Sequence, residues 1–220
     1  MARKPRIYIP DVSVHVIQRG NNRGAIVADD TDREVFTAFL RRAASHHQLS
    51  VNGYVLMDTH YHLVVTPPDP RSLPETIKEL GERYVQYFNR RHDRVGTLWS
   101  GRYRGLLISE ERYWLTCLRY VEQNPVRARM VRTADAHPWS SYRIHAFGAD
   151  SDWLTPHRVY LELGSTPEQR QAAYRAICGV PVTEAETVEL RLPWRSGGVR
   201  RGSDPPPDPR LTPASSVAAR

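Results

Sequence analysis

The chain has 220 residues, 40% of them hydrophobic, and a formal net charge of +7. That length allows one sizeable core with additions, and its two isolated cysteines, Cys117 and Cys178, argue against a disulfide framework or a thiolate zinc site. A basic start with no long apolar run behind it argues against a signal peptide, and no transmembrane run follows, so a cytoplasmic, nucleoid-associated protein is expected.

The distribution of charge says more than its total. Residues 80–132 hold 11 Lys and Arg against 5 Asp and Glu, and residues 191–220 hold 6 against 2. Positive charge beside an aromatic-rich middle suits a polyanion such as nucleic acid, and equally suits a solvated basic surface.

Val12–Gln18, VSVHVIQ, alternates as a strand does. RGNNRG, Arg19–Gly24, supplies turn chemistry. Thr31–His46 follows as a helix, with cap candidates in DDTD and a stripe of Val35, Phe36, Phe39, Leu40 and Ala43. Leu49–Met57 and Tyr61–Thr66 read as a strand hairpin. After the break PPDPRSLP, Leu73–Arg91 reads as a long helix, Gly105–Ile108 as a fourth strand, and Glu110–Asn124 as a helix stopped by Pro125. The first six elements give an α+β, ferredoxin-like split βαβ sheet, with a helix then laid against it. Residues 1–133 are expected to form this core domain, and 134–180 a helical extension with a helix over Thr166–Ile177. The Pro/Gly/Arg-rich residues 181–220 read as a disordered basic tail.

The stretch MDTHYHLVV raises the chemical question. His60 and His62 share one strand face while Tyr61 and Leu63 share the other. Two imidazoles so placed can converge on one metal ion, or simply line a wet face. On the following helix, Trp114, Leu118 and Val121 form an apolar stripe, and Tyr120 and Asn124 form a polar pair one turn apart on its flank. Asn124 suits either an N-cap before Pro125 or a carbonyl ligand. Tyr113 is the rival tyrosine, but Cys117 stands where a polar partner would be. Activated by a cation held by His60, His62 and Asn124, the Tyr120 phenol would attack a phosphodiester.

Arg19, Asn21, Asn22 and Arg23 read as a tight turn or a DNA contact. Arg102, Tyr103 and Arg104 interleave charge with an aromatic ring, as single-strand binding by stacking requires, or form an ordinary strand edge. His15 reads as a satisfied strand residue, and the remaining histidines offer no ligand spacing.

The residues His60-Tyr61-His62 resemble the paired-histidine motif of the HUH endonucleases. RYVEQNPVRARMV resembles the helix of the single-tyrosine, IS200-like transposases, above all their REP-associated branch. VIQRGNNRG, LWSGRYRG and WSSYR add to that resemblance, which covers roughly residues 8–178. It implies an HUH core, Mg²⁺ or Mn²⁺ as cofactor, and single-stranded or hairpin DNA as substrate. It also implies a 5′-phosphotyrosine intermediate at REP hairpins. By position, Tyr120 matches the nucleophile and His60 and His62 the metal ligands. Asn124 stands where related transposases carry a Gln ligand. A monomer or a homodimer is compatible with the resemblance, as is a domesticated protein that binds hairpins without cutting them.

Overall fold

The computed structural model describes residues 8–108, 110–180, 182–183 and 186–187. Strands β1 (Ser13–Arg19), β2 (Ser50–Leu56), β3 (His60–Thr66) and β4 (Arg104–Ile108) form one sheet in the order β2-β3-β1-β4. All neighbouring pairs are antiparallel. Helix α1 (Asp30–His46) connects β1 to β2, and α2 (Ser72–Arg91) connects β3 to β4. This is the expected ferredoxin-like order.

One face of the sheet is covered by α1 and α2. The predicted stripe of α1 delivers Phe36, Leu40 and Ala43 to this core, and α2 delivers Leu73, Ile77, Leu80, Tyr84 and Phe88. They meet Val14 and Val16 from β1 and Tyr61, Leu63 and Val65 from β3. Each such buried side chain contributes roughly 1.5–3 kcal/mol. Buried Asp32 ties the two helices together, accepting hydrogen bonds from the Ala28 amide at 2.8 Å and the Tyr87 hydroxyl at 3.0 Å.

The opposite face carries α3 (Glu111–Glu122), whose Trp114, Cys117, Leu118 and Val121 pack on Val55, Val64 and Ile108. Pro125 cannot donate to the carbonyl one turn back, so the helix breaks and a single turn, α4 (Asn124–Arg127), follows. Asn124 is the first residue of that turn and Gln123 occupies the cap position, so the cap reading of Asn124 is not what the fold uses.

The chain then returns along the outer edge of β2. The Leu56 amide donates to Trp139 O at 2.9 Å, and the Thr155 amide to Val51 O at 2.8 Å. An otherwise open strand edge is thereby covered. Helices α5 (Tyr142–Phe147), α6 (Arg158–Leu161) and α7 (Pro167–Gly179) complete the layer. Tyr142, Ala146, Val159, Tyr160, Tyr174 and Cys178 join the cluster beneath α3.

A buried polar lock fastens this extension to α3. The Glu122 carboxylate accepts from Ser141 Oγ at 2.5 Å, His145 Nδ1 at 2.7 Å and Tyr174 Oη at 2.6 Å. Arg119 donates to the carbonyls of Ile177 and Val180 at 3.3 and 3.4 Å. Both cysteines are free and buried, and burial pushes the Cys178 thiol up to about 12. Apart from residues 182–183 and 186–187, the predicted tail lies outside the described residues. Among the described residues, no helix is long and apolar enough to cross a membrane.

Candidate metal and nucleophile site

Strand alternation assigns the site to one face. Tyr61, Leu63 and Val65 point toward α1 and α2, so His60, His62 and Val64 point toward α3. On β1 the same parity places Ser13, His15, Ile17 and Arg19 on the α3 side, and on β4 it places Arg104, Leu106 and Ile108 there. The register sets Arg19 opposite His60, His62 opposite Ile17, and His15 opposite Val64.

Tyr120 descends from α3 onto this histidine face. Its ring centroid lies 6.0 Å from that of His62 and 5.9 Å from that of His15, edge-on to both. The His60 and His62 rings lie 5.1 Å apart. The guanidinium of Arg127 covers the phenol ring, with Cζ 4.2 Å from its centroid. Tyr120 is therefore only 4% exposed, where the helical wheel placed it on a polar flank.

His15 is the residue that sequence reasoning missed. Its Nε2 lies 2.8 Å from His62 Nδ1, and the two rings stack at 5.0 Å. Read alone, one histidine in a strand gives no ligand spacing; its partner stands 47 residues away and is reached only through strand pairing. The one available signal was that His15 and Arg19 share the strand parity of Ser13 and Ile17 rather than that of the apolar Val14 and Val16.

All three imidazoles are held neutral at ordinary pH. Burial pushes His15 down to about 3. Burial, helped by the positive Arg19 and opposed by Asp58, pushes His60 to about 4. His62 falls well below the ordinary value through burial, with His15, His60, Arg19 and Arg127 adding to it. Neutral imidazole is the form that binds metals.

The histidine pair fits a metal ion on a further ground. Nδ1 of His60 lies 3.1 Å from Thr59 Oγ1, and Nδ1 of His62 faces His15. Each ring is thus oriented through Nδ1, which leaves Nε2 for an ion, the usual division of labour at imidazole metal sites. Asn124 is buried nearby in sequence from Tyr120, and its Nδ2 has no hydrogen-bond partner among the described residues.

The two basic motifs come together at the end of the sheet. Arg19 O accepts from the Ser100 amide at 2.9 Å, Asn21 N donates to Leu98 O at 2.8 Å, and Gln18 Nε2 donates to Gly101 O at 3.1 Å. Asn21, Asn22 and Arg23 form one exposed turn, in which Asn22 and Arg23 have φ of 51° and 59°. A Cβ at Gly20 would meet Gly24 O at 2.1 Å, so this turn requires glycine there. Arg102 and Arg104 are exposed. Tyr103 departs from the expectation: it is 7% exposed and packs in the α1–α2 core, so its ring is no surface for base stacking. Strand parity is the reason, since it sends Tyr103 and Arg104 to opposite faces.

A second constellation with ligand geometry lies on the other side of the sheet. His46 Nδ1 and His47 Nε2 approach Glu79 Oε2 at 2.8 and 3.0 Å, beside an open pocket of about 430 Å³. Arg83 already holds the other oxygen of Glu79 at 2.9 Å. His46 ends α1, His47 caps it and Glu79 belongs to α2, so the cluster ties those helices together on the face opposite the tyrosine.

A sheet that sets paired neutral imidazoles beneath a helical tyrosine defines a candidate phosphoryl-transfer site. The model of the family described as "Transposase IS200 like" matches residues 8–124, more than half of the sequence, and the chain belongs to that family. Membership makes it a protein of a DNA-processing family and implies a divalent metal. Among solved structures, a REP-associated tyrosine transposase bound to a REP hairpin shares the fold, with a TM-score of 0.58 and 16% identity over 71% of this chain and 93% of that one. A proposed transposase from Deinococcus radiodurans R1 gives a TM-score of 0.39 at 20% identity, over 50% of this chain and 89% of that one. The tRNA(His) guanylyltransferase of Saccharomyces cerevisiae gives 0.44 at 12% identity, over 81% and 82%. No curated protein matches the sequence.

Proposed function

We propose that this protein is a single-stranded DNA endonuclease and strand transferase that acts at REP-type hairpins through a covalent 5′-phosphotyrosine on Tyr120. The observation that carries the reading is the packing of Tyr120 against His62 and His15 on the face that also bears His60. The hairpin-bound transposase of the same fold supports the choice of DNA.

His60, His62 and the Asn124 carbonyl oxygen would hold Mg²⁺ or Mn²⁺. When bound, such an ion polarises the phosphodiester and offsets charge on its oxygens. The Tyr120 oxygen attacks phosphorus, the bond from phosphorus to the 3′ oxygen breaks, and the phenol proton ends on that oxygen. The products are a 5′-phosphotyrosine and a free 3′ hydroxyl. Because one phosphoester replaces another, a 3′ hydroxyl can reverse the step and join strands without ATP. His15 holds the His62 ring in place. Arg19, Asn21, Asn22, Arg23, Arg102 and Arg104 form a basic rim for the strand backbone. Residues 134–180 act as an extension that braces α3 on the core of residues 1–133. One chain supplies every group, so a monomer suffices.

The low exposure of Tyr120 favours one rival, a hairpin-binding protein without cleavage. The deciding experiment incubates labelled single-stranded DNA containing repeat hairpins with protein and Mn²⁺ or Mg²⁺, followed by a denaturing gel. The proposal expects a metal-dependent protein-linked band that Tyr120→Phe and His60→Ala abolish. Binding with no such band on several hairpins supports the rival, and cleavage that survives Tyr120→Phe rejects Tyr120 as nucleophile.

A further inference from the structure

The turn α4 carries two unexplained donors, and one of them lies over the tyrosine ring. Arg127 places its guanidinium 4.2 Å from the Tyr120 ring centroid, and its NH1 is buried without a hydrogen-bond partner among the described residues. Asn124 Nδ2, three residues earlier on the same turn, is buried and equally unpartnered. Buried donors in folded proteins are nearly always satisfied, so two orphans on one turn ask for an acceptor. Other buried arginine nitrogens here differ in kind. Arg33 and Arg119 each leave Nε unpaired but bond through their other nitrogens.

We propose that Arg127, with Nδ2 of Asn124, is the seat for the non-bridging oxygens of the phosphate that Tyr120 attacks. This rests on the reading of Tyr120 as nucleophile. The chemistry selects the ligand: a planar, permanently charged fork beside the attacking ring, with an amide donor on the same turn, matches a phosphate. The pairing also divides the labour of Asn124, whose Oδ1 would serve the cation and whose Nδ2 would donate to the substrate. As phosphorus is attacked, charge grows on those oxygens, and donors already in place stabilise it without reorganisation. The break at Pro125 starts the separate turn α4, and Arg127 on that turn lies over the Tyr120 ring.

The test separates binding from chemistry. In a Tyr120→Phe background, which cannot form an adduct, affinity for a hairpin-bearing single strand is measured across salt concentrations. Arg127→Gln should reduce the slope of log affinity against log salt by about 0.7, one phosphate contact. Arg127→Lys keeps the charge and should keep the slope. With Tyr120 intact, Arg127→Gln should slow adduct formation about 10²–10³-fold, and Arg127→Lys should recover only part of that. Asn124→Asp should slow the adduct while preserving metal affinity, because a carboxylate still offers an oxygen but repels the phosphate. A salt slope and adduct rate both unchanged in Arg127→Gln would reduce Arg127 to a lid over the ring and overturn the proposal. Binding without any adduct in the parent would overturn the nucleophile reading while the slope still decides the phosphate seat. No binding at all would overturn both.

Discussion

The two faces of one sheet are built on different terms. Toward α1 and α2, the strands present Val14, Val16, Tyr61, Leu63 and Val65, which are packed on helices by apolar side chains. Two buried hydroxyls on this side find partners, Tyr61 donating to Gln18 Oε1 at 2.8 Å and Tyr84 to Ile26 O at 2.6 Å, while the Trp99 indole nitrogen of the same core has none among the described residues. Toward α3, the same strands present His15, His60, His62 and Arg19, and α4 adds Asn124 Nδ2 and Arg127 NH1, which have no hydrogen-bond partner among the described residues. A sheet has a single register, so β3 serves stability with its odd residues and chemistry with its even ones, and β1 does the reverse. The histidine face gathers three imidazoles, the Tyr120 phenol and two donors without hydrogen-bond partners among the described residues, and that is where a substrate is expected.

The comparison breaks if damage to either face has the same consequence. The largest effect belongs to the histidine face: His60→Ala combined with His62→Ala should abolish metal-dependent adduct formation, by a factor of roughly 10³ or more, while thermal unfolding stays cooperative. Gel assays alongside calorimetry check both halves. On the opposite face, Leu80→Ala should cost about 2–5 kcal/mol in denaturant unfolding and leave the adduct chemistry of the folded fraction intact. An equal loss of chemistry there would mean that the two faces are coupled.

A smaller effect sharpens the role of His15. His15→Ala should weaken Mn²⁺ binding about 10–100-fold by titration calorimetry, because His62 loses the group that orients it, and His15→Gln should restore part of it. Acid should also act on the histidine face first. His15 and His60 titrate near 3 and 4 when folded, against 6.5 in the unfolded chain. Between those values the unfolded state binds more protons, so stability is full above about pH 6.5 and falls as pH drops toward 4. Unfolding free energies from pH 8 to 4 should show that decline, and His15→Gln should flatten it. Smallest of all, Arg19→Ala should lower the salt slope of single-strand binding by about 0.7 and spare the chemistry once DNA is saturating.

The frame was legible because its signals are local. Alternation in VSVHVIQ, the stripe of α1 and the break at Pro125 each need only a few neighbouring residues, and each strand of the sheet begins and ends within one residue of its expected range. His60, His62 and Tyr120 were legible through the motifs that contain them, and strand parity alone put the two histidines on one face. What escaped depends on pairing between distant segments. His15 meets His62 across the β1–β3 register, and nothing within β1 announces it. Tyr103 looked available for stacking because RYR is charged on both sides, yet parity turns its ring into the core. Glu122, one turn beyond Leu118, drew no notice in the sequence, because its partners Ser141, His145 and Tyr174 are supplied by the distant extension. Arg127 lay within the tyrosine motif, and only the break at Pro125 reveals that it folds back over Tyr120.

The most direct test of the central claim is mass spectrometry of the protein after reaction with hairpin DNA and Mn²⁺, nuclease trimming and proteolysis. The account predicts a nucleotide-phosphate mass on the peptide that contains Tyr120, with fragment ions placing it on the phenol oxygen. The same mass on the peptide with Tyr113 in place of Tyr120, or cleaved DNA with no modified tyrosine, would contradict it.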